Sequence, residues 1–427
     1  MPDNASQTVP SAEIVALLDE LGQRDDAVVQ LTIDLIAARS PNPPGDETAP
    51  ATSIVETCRR LGLPEPVVVG AEPHRPNVIL TIDSGRPGAN LGFCGHTDTK
   101  PVGDAAPLWR TDPFAGTIEG DRLYGLGSTD MKGALAAMLY AAEWLQRHPD
   151  RWTGKVSYLF SADEEYGSRY GAYFLAREGY VNALDAIILG EPSGIREDWD
   201  AIRTVSRGAS CFEVVVNGTQ MHSSLSDTLG AVNAVEAMAR LMVRFREELT
   251  LRYPEHPLCP TGPTINIGVR TTGGVGYGVV PGQAVFFSDI RVTPGMDREI
   301  FREDLQAALD RSSVVLNGAT AEIVWRDGMG WAPASEIDPA HPAVVASRTA
   351  ASAVLGHEVP IAAFTGGTDA IAFQGLAGIP TLAALGPGLL PLAHGPNEWV
   401  SVSSLRAAMR IYALTVVEYS RLVSLPA

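Results

Sequence analysis

Four apolar runs constrain this chain more than any other feature: PNVILTID (76–83), NLGFCGH (90–96), KVSYLFSA (155–162) and LDAIILGE (184–191). They are nearly continuous in apolar residues, and helical patterns lie between or after several of them, at DMKGALAAMLYAAEWLQRH (130–148) and YGSRYGAYFLAREGY (166–180). A strand that is apolar on both sides must be covered on both faces. The texture therefore predicts an α/β fold with a mostly parallel sheet between helices. Before it, a helix to about residue 20 reads as loosely attached. A second helix, about Asp26 to Ala38, ends at the breaker cluster SPNPPGDE (40–47).

From about Gly208 the texture changes. CFEVVVNG (211–218) reads as a strand and LGAVNAVEAMARLMVRFREELTLRY (229–253) as one long amphipathic helix. Two strands follow, PTINIGVRTTGG (263–274) and GQAVFFSDIRV (282–292), then the helix DREIFREDLQAALDRS (297–312) and the strand ATAEIVWRD (319–327). The order βαββαβ is ferredoxin-like. The α/β pattern then resumes with the helix 341–356, the strand IPTLAALG (379–386) and the helix 401–423. The expected organisation is an α/β domain, 1–207 and 328–427, interrupted by a smaller domain, 208–327.

Charge narrows the partners. The 427 residues hold 32 Lys and Arg against 50 Asp and Glu, a formal net charge of −18, which argues against nucleic acid and anionic membrane as partners. The first fifteen residues lack a basic start followed by an apolar core, and the longest apolar runs are too short to cross a bilayer. Four scattered cysteines without CxxC spacing read as reduced thiols. The expectation is a cytoplasmic protein.

In open α/β sheets, chemistry gathers at the carboxyl ends of the strands. There the chain delivers His96 and Asp98, Glu164 and Glu165, Glu191, and His394 a few residues late; Asp130 arrives as a helix begins. Singly, Asp130 reads as a helix cap and the Glu-Glu pair as a solvated loop. Five converging segments instead point to a site for two divalent cations. Imidazole and carboxylate donors without thiolate suit zinc, with manganese or cobalt as alternatives. Asp130 can bridge two ions, with His96 and Glu191 completing one set and Glu165 and His394 the other. Asp98, two residues beyond His96 on an extended segment, can hold the imidazole's other N–H. Glu164, free of the ions, can act as general base.

GHTDTKPVG (95–103), GLGSTDMKGALAAML (125–139), SADEEYGS (161–168), GEPS (190–193) and AHGPNE (393–398) resemble the ordered motifs of a metallohydrolase family. This is the acetylornithine deacetylase, succinyl-diaminopimelate desuccinylase, aminoacylase and carboxypeptidase G family, whose metals are co-catalytic. The resemblance implies metal ligands at His96, Asp130, Glu165, Glu191 and His394 and a base at Glu164. It implies that the inserted domain is a lid and a homodimer interface. It also implies an oxyanion-stabilising histidine at His222, in GTQMHSS, and a substrate-carboxylate anchor at Arg291, in DIRVTPG. The Gly-rich turn FTGGTDA, with Gly366, Gly367 and Thr368, resembles a family turn near the substrate.

One position departs from the family. Many relatives carry Asn before a VVPG-type turn, where this chain has Gly278; Asn266 lies nearby as a substitute contact. The expected activity is hydrolysis of a C–N bond in a small carboxylate-bearing substrate such as an N-acyl amino acid or short peptide. The alternatives are an aminohydrolase releasing ammonia from an aromatic amine or a carbamoyl or amidine nitrogen, and a non-catalytic carboxylate-binding protein on the same fold.

Overall fold

The computed structural model describes residues 12–325 and 330–424. The chain divides into two compact units, one of Met1–Ser206, Ser335–Phe364 and Thr368–Ala427, the other of Arg207–Ala334 and Thr365–Gly367. The expected boundary at 327/328 and the last two residues of the strand expected over 319–327 lie outside the described residues.

The first unit is built on a six-stranded sheet. Its strands are β1 (Val67–Val69), β2 (Asn77–Asp83), β3 (Asn90–His96), β4 (Lys155–Ser161), β5 (Ala186–Leu189) and an edge strand, Thr381–Leu382, in the order β1-β2-β4-β3-β5-edge. The four strands from β4 to the edge run parallel, while β1 and β2 add antiparallel pairings. Side chains alternate between two cores. Leu91, Phe93, Tyr158, Phe160 and Ile188 enter one, with the helices Gly133–Arg147 and Val402–Ser424; Cys94, Leu159, Ile187 and Leu189 enter the other, with Ala172–Arg177 and Ala370–Ala377. Both faces are covered along β3 and β5, which leaves those strands no polar alternation, whereas β2 alternates buried Leu80 and Ile82 with exposed Thr81 and Asp83. The helix Gly133–Arg147 is buried through Leu145. Its run of Ala and Leu combines high helix propensity with side chains small enough for close packing on the sheet.

Several expected elements differ in extent. The N-terminal helix, Ala12–Gly22, is docked: Leu17 and Leu21 are buried and the Trp144 indole donates to Glu20 at 2.9 Å. The helix expected over 166–180 shrinks to Ala172–Arg177, because Gly167 and Ser168 take φ 106° and 59° before it and Gly179 takes φ 80° after it, outside the right-handed helical region. Only Thr381–Leu382 and Gly386–Leu389 are strands within and beyond the expected 379–386. A helix at Thr48–Arg60 carries too few apolar residues for its pattern to stand out.

The second unit has the ferredoxin-like order. Strands β6 (Gly208–Asn217), β7 (Thr264–Gly273), β8 (Gln283–Val292) and β9 (Thr320–Trp325) form one antiparallel sheet, β7-β8-β6-β9. Val214, Val216, Phe286 and Ile290 pack with Phe245, Phe301 and Leu305 of the helices Ala234–Glu248 and Arg298–Ser312. The first helix is shorter than the expected 229–253, because the Asn233 side chain accepts the N–H groups of Val235 and Glu236 and starts it there. Asp297 caps the second helix through Glu299 and Ile300.

These packing roles make distinct demands on stability. Phe286→Ala, which empties a fully buried position, should cost about 3–5 kcal/mol. Asn233→Ala should cost about 1 kcal/mol. Urea unfolding of the two variants checks the ranking, and equal losses would contradict it.

Candidate metal centre

Strand register brings the first ligand candidates level. His96 pairs with Ser161 and Cys94 with Leu189, so His96, the end of β4 and Glu191 arrive at the same sheet edge. Past Ser161, Asp163 takes φ 67° and turns the chain, placing Glu164 and Glu165 over that edge. Asp130 comes from the irregular segment Ser128–Lys132, entered through Gly127 at φ 78°. A Cβ on Gly127 would meet Thr99 at 2.6 Å, so the turn requires glycine. His394 follows the strand Gly386–Leu389 at φ 63°.

Asp130 stands between two imidazoles. Its Oδ1 lies 3.0 Å from His96 Nε2 and its Oδ2 lies 3.2 Å from His394 Nε2. His394 Nε2 is also 3.0 Å from Glu165 Oε2, and His96 Nε2 is 3.9 Å from Glu191 Oε1. Donor atoms of His96, Asp130 and Glu165 gather within one ion-sized space, as do those of His96, Glu164 and Glu191. His96 Nδ1 donates to the Asp98 carbonyl at 3.0 Å, an acceptor that fixes Nδ1 as a protonated nitrogen and turns Nε2 toward the acidic cluster. All of these residues belong to the first unit.

The electrostatics fit a cation site. Burial, reinforced by the charge of Asp130, pushes the Glu191 carboxyl well above the usual carboxylate range. Burial also raises half-buried Glu164, with Asp369, Glu165 and Asp130 adding to it against His96. Burial alone would lower both histidines. Hydrogen bonds to Asp130 and Asp98 raise His96 well above its ordinary value, and those to Asp130 and Glu165 raise His394 to about 10. Asp130 is lowered despite its burial, by hydrogen bonds from His394 and His96. Carboxylates this crowded and this dry need positive charge. Imidazole nitrogens and carboxylate oxygens are the donors that divalent transition ions take.

Around the cluster lie residues that motif reading passed over. The Asp98 carboxylate accepts the N–H groups of Glu164 and Glu165, each at 3.1 Å, and Asn42 Nδ2 at 2.8 Å; its Oδ1 is 3.5 Å from His96 Nδ1. Asn42 also donates to Asp163 at 3.0 Å and accepts from Arg75 at 3.3 Å. Glu398, buried, accepts the N–H groups of Gly127, Thr129 and Asp130 at 2.9–3.0 Å and so holds the Asp130 segment. Asp369 accepts from Ser161 and Ser168 on either side of the glutamate pair. Asn42, Glu398 and Asp369, which motif reading missed, sit in the quoted stretches SPNPPGDE, AHGPNE and FTGGTDA. The breaker cluster and the residue after a candidate ligand were the available signals.

The remaining candidates are spread between the units. Gly366 and Gly367 group with the second unit and Thr368 with the first, where its Oγ1 accepts the Ala370 N–H at 3.3 Å. In the second unit Arg291 faces Asp289 at 3.1 Å, and Asn266 pairs across the sheet with Asp289. His222 is exposed, its Nδ1 2.8 Å from Ser224 Oγ. Gly278 has φ 81° and its carbonyl accepts the Ser223 N–H at 2.9 Å, beside His222.

Comparison with known proteins gives the site its context. Residues 92–418 match peptidase family M20/M25/M40. A succinyl-diaminopimelate desuccinylase of Xanthomonas campestris pv. campestris strain 8004 is 31% identical over 405 residues, covering 92% of this chain and 98% of that one. The M20 family metallo-carboxypeptidase Sso-CP2 of Sulfolobus solfataricus shares the fold with a TM-score of 0.75 at 22% identity, over 92% of this chain and 99% of that one. YXEP of Bacillus subtilis, a dinuclear metal-binding peptidase of the M20 family, aligns with a TM-score of 0.66 at 17% identity, over 94% and 99%. The chain belongs to peptidase family M20/M25/M40 and is a metal-dependent hydrolase of amide C–N bonds.

Proposed function

We propose that the protein is a zinc-dependent deacylase that cleaves an N-acyl amino acid, with an N-succinyl amino acid as the first substrate to test. The observation that carries this is Asp130, whose two oxygens each face a different imidazole, at 3.0 and 3.2 Å. His96 and Glu191 would hold one ion, His394 and Glu165 the other, and Asp130 both. Bound there, the ions would polarise the scissile carbonyl and acidify the attacking water.

The chain's own residues supply the proton transfers. Glu164 stands beside the candidate ligands on a peptide fixed by Asp98. Its carboxylate takes a proton from water as the oxygen adds to the carbonyl carbon. It then returns the proton to the nitrogen as the C–N bond breaks, leaving an acid and an amine. Asp98 keeps Glu164, Glu165 and His96 in fixed relation. Arg291 suits a substrate carboxylate, because a guanidinium fork matches two oxygens, and Asn266 stands on the neighbouring strand. His222 is assigned to the developing oxyanion, and the backbone of Gly366, Gly367 and Thr368 to an anionic group of the substrate. The inserted domain, 208–327, is assigned as lid and homodimer interface; β7 is an outer strand with Val269 exposed, an edge suited to pairing. The cytoplasm is the proposed compartment, in keeping with four free cysteines.

Glu164→Gln should retain the metal content of the parent and lose about 10²–10⁴-fold in turnover; near-parental turnover removes Glu164 as the base. Without ions, His394, raised to about 10 by its bonds to Asp130 and Glu165, holds a proton at neutral pH. Zinc uptake must expel that proton, so affinity should rise as pH rises toward about 10. Calorimetry in buffers of different ionisation enthalpy reads that release, and proton uptake on binding would contradict it. A panel of N-succinyl and N-acetyl amino acids, dipeptides and aromatic amines should yield acid plus amino acid with the first class; ammonia as the product would favour an aminohydrolase.

A further inference from the structure

We infer that Lys100 makes the two cation positions unequal, so that an inner position retains its ion and an outer one exchanges it. The inference rests on the two-ion reading above and concerns what the chain itself has built around each end of Asp130.

At the outer end, Glu165 already has a resident counter-ion. Lys100 engages both of its carboxylate oxygens, the backbone N–H reaching Oε1 at 3.2 Å and Nζ reaching Oε2 at 3.3 Å. Lys100 Nζ also donates to the Glu165 carbonyl. Oε2 is the same oxygen that lies 3.0 Å from His394 Nε2. An ion taken by His394 and Glu165 must therefore displace an ammonium from one of its ligand atoms and then remain beside that charge. The His394 side chain is 47% exposed and that of Lys100 35% exposed, so water reaches this end and can receive a departing ion.

The inner end is built the other way. The His96 side chain is 1% exposed and that of Glu191 7%. Among the described residues, no Lys or Arg stands within ion-pair distance of Glu191 or Glu164. A cation there meets no competitor, and in a drier setting each unit of opposite charge counts for more. The two ends share Asp130 and have the same donor types, so the difference comes from burial and from Lys100.

The test measures zinc per chain rather than activity. The purified metal-loaded protein is equilibrated with a series of free Zn²⁺ concentrations set by a chelator buffer, and bound zinc is read by mass spectrometry. The parent should release its two ions in separate steps. In Lys100→Met, which keeps side-chain length and removes the charge, the weaker step should tighten by about tenfold or more while the stronger one stays in place. Lys100→Arg should keep the steps apart. Thermal unfolding checks that each variant is folded. Two ions held equally by the parent, or steps unmoved in Lys100→Met, would overturn the role of Lys100. Complete absence of bound zinc would instead overturn the two-ion reading on which the inference stands.

Discussion

The site depends on one carboxylate shared by two imidazoles. Asp130 stands between His96 and His394, and each of the other acidic groups gains its place by facing one side of that pair or the other. Without Asp130 the two histidines would belong to separate rims of the sheet, one at the end of β3 and the other almost three hundred residues later. With it, they form a single acidic basin whose stability calls for cations. The raised carboxyls of Glu164 and Glu191 and the raised His394 all express the same imbalance.

Such a basin is costly to build, and the surrounding structure shows where it is held. Glu398 fixes the segment that presents Asp130 by accepting three consecutive-region N–H groups. Asp98 fixes the glutamate pair, and Asn42 braces Asp98 against Asp163. Beneath them the parallel strands are buried on both faces, so the edge from which the candidate ligands project has little freedom to shift. Neighbouring glutamates can then take different roles, because each is positioned by a different set of contacts.

Much of this was legible in the sequence, for physical reasons. Strands such as NLGFCGH and KVSYLFSA announce themselves because burial on both faces leaves no room for polar alternation. The order βαββαβ was likewise readable, since its strands alternate and its first helix is amphipathic. His96, Glu165, Glu191 and His394 were nominated because each follows a recognisable strand, and Asp130 because it stands where a helix begins. What escaped depended on contacts between distant segments. Glu398 meets residues more than 260 positions earlier, Asn42 meets Asp98 and Asp163, and Lys100 meets Glu165. The helix over 166–180 was overextended because Ser168 takes φ 59°, a left-handed conformation that no periodicity reveals.

The central claim is that the Asp130 carboxylate separates two cation positions, each facing one imidazole. Diffraction from crystals of the zinc-loaded protein, with data on both sides of the zinc absorption edge, tests it most directly. The account predicts two anomalous peaks flanking Asp130, one beside His96 and Glu191 and one beside His394 and Glu165. Peaks lying elsewhere, or none near Asp130 in protein that still turns over substrate, would contradict it.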